Sequence, residues 1–328
     1  IPVVNTFMGK GAVAMSDPHC LFTMGLQGRD HVNKAFEKSD TVITVGYDLV
    51  EIAPVFWNPN CDKTIIHIDF MPAEIDMDYP VMVDVVSDLA DALWQINEGL
   101  NERFGAKLPL YDIADWAELR QTIADDLAAE KDDNSFPMKP QRILNDVRSF
   151  LGPEDIVLSD VGAHKMWIAR YYQCEEPNTC LISNGFCSMG FAVPGAMGAQ
   201  FAVPDSRVLA ICGDAGFLMN VQDLETAVRI GSKMVIMVWI DGEYGLIKWK
   251  QQTHFDGRHS DLAFNNPDFE MLAKSFGMWG KVVDGPGQIR SALEEAFAQD
   301  GPAIIAVPVD YSENQKLTKR LGEIEVAI

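Results

Sequence analysis

Two stretches decide the fold of this chain. The first is Val208-Leu209-Ala210-Ile211-Cys212-Gly213-Asp214-Ala215-Gly216-Phe217. The second is the apolar run Met234-Val235-Ile236-Met237-Val238-Trp239-Ile240, which ends in Asp241-Gly242-Glu243-Tyr244-Gly245. Each begins with an unbroken apolar segment of strand length, the pattern of a strand buried on both faces. Each then breaks at a glycine-bearing turn. Glycine at 213 and 216 lets the backbone turn tightly and bring its N–H groups close to an anion. Asp214 is left at a strand's C-terminal end, where a hard cation between protein and phosphate would lie. Asp241 follows after 26 intervening residues, at the end of the next strand. Two carboxylates and a backbone carbonyl beside a phosphate-sized anion form an oxygen cage suited to Mg²⁺. Taken singly, both segments are also ordinary turns that close a strand.

Working outward, strands and helices alternate around this pair. Strands are predicted at 155–159, 179–183, 207–212, 233–240, 279–283 and 303–307, with helices near 164–172, 189–203, 221–230, 267–276 and 288–299. A helix ahead of them carries Ile143, Leu144, Val147, Phe150 and Leu151 on one face, and Gly152-Pro153 stops it. Such alternation implies a parallel sheet covered on both faces, with ligands at the carboxyl ends of its strands. Upstream, a buried strand is expected at 40–46 behind a helix at 30–38, with further strands at 63–70 and 81–86. Ser87 and Asp88 cap a helix that Gly99 should end. A helix at 116–129 precedes the polar linker Lys131-Asp132-Asp133-Asn134-Ser135. The expected fold is α/β with two doubly wound parallel-sheet domains: residues 1–125, a linker at 126–140, and residues 141–328.

The chain's 328 residues suit two domains, and 48% hydrophobic with 23% charged content is that of a globular protein. Lys+Arg number 26 against Asp+Glu 48, a net charge of -22. Nucleic acid and anionic membrane surfaces are therefore excluded as partners, since both need a basic stripe. None of the six cysteines forms a CxxC pair, so buried free thiols in a reducing compartment are expected. With no leader pattern and no apolar run near 18 residues, the cytoplasm is the expected compartment. His19, His31, His67, His254 and His259 read as surface or satisfied core residues. Lys248, Lys250 and Arg258 form either a mobile cover or a solvated basic stretch. No GxGxxG follows a strand, which disfavours a nicotinamide dehydrogenase, and Gly9-Lys10-Gly11 is not a P-loop.

The pair at Asp214 and Asp241 resembles the thiamine-diphosphate motif: Gly-Asp-Gly, about 25 residues, then an acid or amide opening a turn. Ile182-Ser183-Asn184-Gly185-Phe186-Cys187-Ser188-Met189-Gly190 with Pro194-Gly195-Ala196-Met197-Gly198-Ala199 resembles the cofactor-facing loop and helix of the acetolactate synthase group. So does Gly162-Ala163-His164-Lys165-Met166-Trp167. Pro2–Gly11 and Ile66-His67-Ile68-Asp69 through Pro72-Ala73-Glu74-Ile75 are similar to that group's middle domain. The resemblance covers nearly the whole chain, with its motifs in family order.

The resemblance implies thiamine diphosphate and Mg²⁺ as cofactors, with Asp214, Asp241 and the carbonyl of Glu243 as metal ligands. Gly162, Ala163 and His164 would line the diphosphate, with backbone N–H groups of Ala215 and Gly216. Gly213, Tyr244 and Gly245 would complete the cofactor site. Met189 would wedge under the cofactor and bend it, and the carbonyl of Cys187 would accept a hydrogen bond from its amine; these two are the expected catalytic positions. Ala215 stands where the motif usually has Gly, and Ala163 lacks the amide of the biosynthetic synthases. Gly46-Tyr47-Asp48-Leu49-Val50-Glu51 has no Arg to meet a flavin, so FAD is not expected and the chain resembles the catabolic synthases. Biosynthetic enzymes carry a tryptophan after the metal turn that favours 2-ketobutyrate; Lys250 stands at that place, with Trp249 one position away. The implied reaction decarboxylates pyruvate and joins the two-carbon unit to a second pyruvate. The implied state is a homodimer or homotetramer, with the activating Glu on an N-terminal domain. Because Ile1 falls partway into the middle domain, this chain is expected to be an inactive piece of that enzyme. Two alternatives remain: another thiamine-diphosphate-dependent 2-keto acid decarboxylase or carboligase, and a non-catalytic nucleotide-binding module.

Overall fold

Period-two burial builds the larger of two units. In a computed structural model, which describes residues 1–24, 31–107 and 112–314, the chain divides into two compact units. One comprises Ile1–Thr6 and Pro18–Ile123, the other Phe7–Asp17 and residues 124–314. In chain order the elements are β1 (Val3–Asn5), β2 (Cys20–Thr23), α1 (Asn33–Lys38), β3 (Thr41–Val45), β4 (Thr64–Asp69), β5 (Val81–Val86), α2 (Leu89–Phe104), α3 (Ala114–Ala128) and α4 (Pro140–Phe150). Then come β6 (Ile156–Ser159), α5 (Ala163–Tyr171), β7 (Cys180–Ile182), α6 (Ala192–Ala202), β8 (Val208–Gly213), α7 (Asp214–Met219), α8 (Asp223–Arg229) and β9 (Val235–Ile240). The chain continues through α9 (Gly245–His254), α10 (Phe269–Ser275), β10 (Trp279–Val282), α11 (Ile289–Phe297) and β11 (Ala303–Pro308).

The second unit is a six-stranded parallel sheet in the order β10-β11-β9-β8-β6-β7. Ile156 and Leu158, Val208, Ala210 and Cys212, Ile236 and Val238, and Ile304 and Ala306 share one core. Ala192, Val193 and Ala196 of α6, Phe217 of α7, Leu224 and Ala227 of α8, and Phe269 and Ala273 of α10 join them. The intervening Val157, Leu209, Ile211, Val235, Met237 and Ile305 are equally buried. They point to the opposite face, because successive strand side chains alternate. Burial on both faces is what unbroken apolar strands require. β8 pairs directly with β9, Gly213 opposite Trp239, so the ends of these strands lie side by side.

The smaller unit has a parallel sheet β3-β4-β5 and a separate parallel pair β1-β2. Its central strand β4 is buried at Ile65 and Ile68, and α2 packs on it. The strand expected to be buried at 40–46 is not. Ile43 and Val45 of β3 are exposed, as are Met82, Val83 and Val86 of β5, and both are the outer strands of this sheet. The α/β class with parallel sheets holds throughout the described residues.

Several boundaries differ from the expectations. Helix α2 runs through Gly99 to Phe104 and ends at Gly105, whose φ is +50°. Gly99 faces open space, so its cost is the backbone entropy of about 1 kcal/mol, which one helix absorbs. Helix α6 starts at Ala192, not Met189. Strands β1 and β2 and helices α7 and α9 were not foreseen. All six cysteines are free; four are buried as expected, but Cys61 and Cys187 are exposed. His67 is a satisfied core histidine, with Nδ1 2.9 Å from the Tyr79 hydroxyl. Among the described residues, no helix is long and apolar enough to cross a membrane.

Candidate functional site

The ends of β6, β8 and β9 bring most of the expected site residues together. Gly213 ends β8 and caps α7, so the Gly-Asp-Ala-Gly stretch is a strand passing straight into a helix rather than a free turn. Asp214 is the first helical residue and is 1% exposed. Its Oδ1 accepts from the Ala215 N–H at 2.9 Å, and its Oδ2 accepts from the Gly242 N–H at 2.8 Å and the Asp241 N–H at 3.2 Å. The two turns are thus tied together through one carboxylate. The expected use of the Ala215 N–H for an anion differs from what is seen, since Asp214 already holds it.

Asp241 follows β9, half-buried. Burial first, and the nearby Asp214 second, push its carboxyl up to about 7. Neither carboxylate forms an ion pair among the described residues, and a second buried negative charge beside the first is costly without a cation. That donor set suits a hard divalent cation. Among the described residues no three His, Cys, Asp or Glu side chains converge in a metal-holding group, so a third protein ligand would be a backbone, amide or hydroxyl oxygen. The Glu243 carbonyl accepts from the Gly245 N–H at 3.0 Å and retains a second lone pair. The Glu243 carboxylate turns away to Lys248 in a short contact.

Close approaches explain the glycines here. A Cβ on Gly245 would lie 2.9 Å from Asp241 Oδ2 and 3.5 Å from the Ala163 Cβ, and one on Gly216 would lie 3.0 Å from Asp160 Oδ2. Gly162 caps α5, and Ala163 and His164 open it, buried. His164 donates to the Asp160 carbonyl, and burial holds its pKa down at about 3. The ring is therefore neutral, and its buried Nε2 has no partner among the described residues. Tyr244 is exposed at the start of α9 and packs on Phe264, ring centroids 5.2 Å apart.

Cys187 and Met189 lie on the loop before α6. Cys187 is exposed with φ +52°, and its thiol donates to the Asn184 carbonyl at 2.7 Å and accepts from Lys165 Nζ at 3.1 Å. Met189 is half-buried. The next residue, Gly190, is clamped: its N–H donates to Asp160 Oδ1 at 2.9 Å, and its carbonyl accepts from Asn220 Nδ2 at 2.6 Å.

Asp160 was missed by the sequence reading. It is fully buried, and it takes backbone N–H groups of Val161, Gly190, Phe191 and Ala192. Burial nonetheless outweighs them and raises its pKa. The signal was available: an acid directly after an apolar strand and two residues before a glycine, as at Asp214. Asn266, which donates to Asp214, has no such signal.

A cavity of about 450 Å³ adjoins this site, lined by Asp241, Glu243, Gly245, Lys248, Trp249 and Tyr311 among others. Trp249 lines it, whereas Lys250 does not. The basic stretch lies on helix α9 as far as His254, not on a loop.

Two family models match the chain: the thiamine pyrophosphate enzyme central domain over residues 1–96, and the thiamine pyrophosphate enzyme C-terminal TPP binding domain over residues 160–307. The chain is 34% identical to the acetolactate synthase of Bacillus subtilis (strain 168) over 99% of its own length and 57% of that protein's. It is 30% identical to the catabolic acetolactate synthase of Raoultella terrigena, over 91% of this chain and 53% of that one. A third relative is the acetolactate synthase isozyme 3 large subunit of Escherichia coli (strain K12), 30% identical over 96% of this chain and 55% of that one. The chain thus spans about half the length of the curated relatives it matches. With its parallel sheets, its paired aspartates at adjoining strand ends and these matches, the chain belongs by its central and C-terminal TPP-binding domains to the thiamine pyrophosphate enzymes, and is related to the acetolactate synthases.

Proposed function

We propose that this chain is part of an acetolactate synthase of the catabolic, FAD-independent kind, which uses thiamine diphosphate and Mg²⁺ to condense two molecules of pyruvate with loss of CO₂. What carries the proposal is the pair of buried Asp214 and half-buried Asp241, side by side at the ends of β8 and β9 without an ion-pair partner among the described residues. Bound, the cofactor supplies the nucleophilic carbon and the electron sink for decarboxylating a 2-keto acid. The chain's own residues bind and orient. Asp214, Asp241 and the Glu243 carbonyl hold Mg²⁺. The backbone of Gly162, Ala163 and Gly216, with the close-packed Gly213, Tyr244 and Gly245, lines the diphosphate. The loop clamped at Gly190 carries the Cys187 carbonyl, which would accept from the cofactor's amine, and the Met189 side chain, which would pack against the cofactor.

The segment after β3 supports the absence of a flavin from this reading. Tyr47 packs against Trp57 and Tyr79, with ring centroids 6.1 and 5.8 Å apart, and the segment carries no Arg. A homodimer or homotetramer in the cytoplasm belongs to the same proposal.

The test is turnover of pyruvate by the purified full-length enzyme of which this chain is proposed to be part, with thiamine diphosphate and Mg²⁺. Acetolactate, read as acetoin after acid decarboxylation, is the expected product. Chelation with EDTA abolishes it and added Mg²⁺ restores it. Release of free aldehyde without carbon–carbon bond formation would instead make this a 2-keto acid decarboxylase. Binding of ADP but not of thiamine diphosphate would make it a nucleotide-binding module.

A further inference from the structure

Asn266 lies on the segment ahead of α10 and reaches back 52 residues to Asp214. Its Nδ2 donates to Asp214 Oδ2 at 2.7 Å. The same oxygen accepts from the N–H groups of Gly242 at 2.8 Å and Asp241 at 3.2 Å. A carboxylate oxygen offers about two lone-pair sites, and the two short donors, Asn266 and Gly242, fill those of Oδ2, while the Asp241 N–H at 3.2 Å lies at the long end of the hydrogen-bond range. Oδ1 accepts one, from Ala215 at 2.9 Å.

We propose that Asn266 is a positioning residue that makes Asp214 a one-oxygen ligand: with Oδ2 saturated, only Oδ1 is left to meet a divalent cation. The inference rests on the metal site proposed above and deepens it. Two of the three donors are backbone groups of the Asp241 turn, which no side-chain change removes. Asn266 supplies the third and ties an independent segment to the same oxygen. A carboxylate oxygen at 2.7 Å fixes which end of the amide faces Asp214, since only the NH₂ end donates. The other end, Asn266 Oδ1, is buried without a partner among the described residues. A buried acceptor left unpaired is costly. An amide suits the place because it donates at one end and accepts at the other without adding a third negative charge beside Asp214 and Asp241.

Partners behind a metal ligand typically set affinity by about 10- to 100-fold. The test titrates the purified protein with Mn²⁺ in the presence of thiamine diphosphate, reading free Mn²⁺ by electron paramagnetic resonance. The unfolding midpoint of the metal-free protein is measured alongside. Asn266→Ala should weaken Mn²⁺ about 10- to 100-fold while leaving the metal-free midpoint unchanged. Asn266→Gln, which keeps the amide on a longer arm, should recover part of the loss. Asn266→Ser takes the place of the alanine variant if that one does not fold. Mn²⁺ affinity equal to wild type in the alanine or serine variant overturns the proposal. So does a loss that tracks a lowered metal-free midpoint and that Gln does not rescue, which marks a merely structural role. Failure of the wild type itself to bind Mn²⁺ overturns the metal site, and this inference with it.

Discussion

Asp241 is the residue at which function and stability oppose each other most directly. Its half-buried carboxyl lies beside Asp214, and burial with that charge pushes it up to about 7, so a proton or a cation relieves the repulsion. Asp241→Asn should therefore stabilise the metal-free protein by about 1–2 kcal/mol, in the way that active-site neutralisations often do, while Mg²⁺-dependent binding of thiamine diphosphate is lost. Thermal unfolding with and without Mg²⁺ and the cofactor checks both halves. His164 makes the second prediction. Its folded-state pKa, about 3, lies below the unfolded value near 6.5. Between these values the unfolded chain binds the extra proton, so stability falls as pH drops below about 6.5 and the penalty stops growing near pH 3. The slope due to this one group is about 1.4 kcal/mol per pH unit. In His164→Asn, denaturant titrations between pH 6.5 and 4 should show a shallower fall than wild type. An unchanged slope would mean that His164 is already protonated in the fold.

The loop before α6 is where the element scale matters. Met189 and the Cys187 carbonyl sit on a segment with almost no regular structure, so their placement depends on the clamp at Gly190. Asp160 holds that residue's N–H from the end of β6, and Asn220 holds its carbonyl from the segment after α7. Gly190 has φ +82°, and an added Cβ would lie 2.8 Å from Asn220 Nδ2. Gly190→Ala should cost about 1–3 kcal/mol from left-handed backbone strain, and it displaces the Asn220 amide as well. Reduced affinity for thiamine diphosphate by calorimetry, with Mg²⁺ saturating, is the expected functional outcome. Wild-type affinity and stability would show that the clamp does not control the loop. The sequence located this loop by resemblance but extended α6 back to Met189. The helix in fact starts at Ala192, and Gly190 and Phe191 answer to Asp160 and Asn220 instead of to the helix's own periodicity.

At the scale of the molecule, a net charge of -22 repels itself in the folded state more than in the expanded one. Salt should raise the unfolding midpoint as the Debye length falls from about 30 Å at 0.01 M to about 8 Å at 0.15 M. A flat response in thermal melts at these two salt levels would mean that the acidic groups are balanced locally. The sequence by itself determined the α/β alternation and the parallel sheet, because continuous apolar strands such as Met234–Ile240 can be buried in few other ways. It also located Asp214 and Asp241, since both close such strands and need only the adjacency of β8 and β9 to meet. It did not determine the exposure of β3, which depends on whether another element covers that strand. Nor did it determine the neutrality of His164, which is set by burial and by the Asp160 carbonyl. Asp160 carried a local signal, an acid closing an apolar strand, but the partners that Asp160 and Asn266 hold belong to the tertiary structure alone. Their partners lie 30 and 52 residues away, and a hydrogen bond over that separation follows from where the sheet brings the chain together, not from any local pattern.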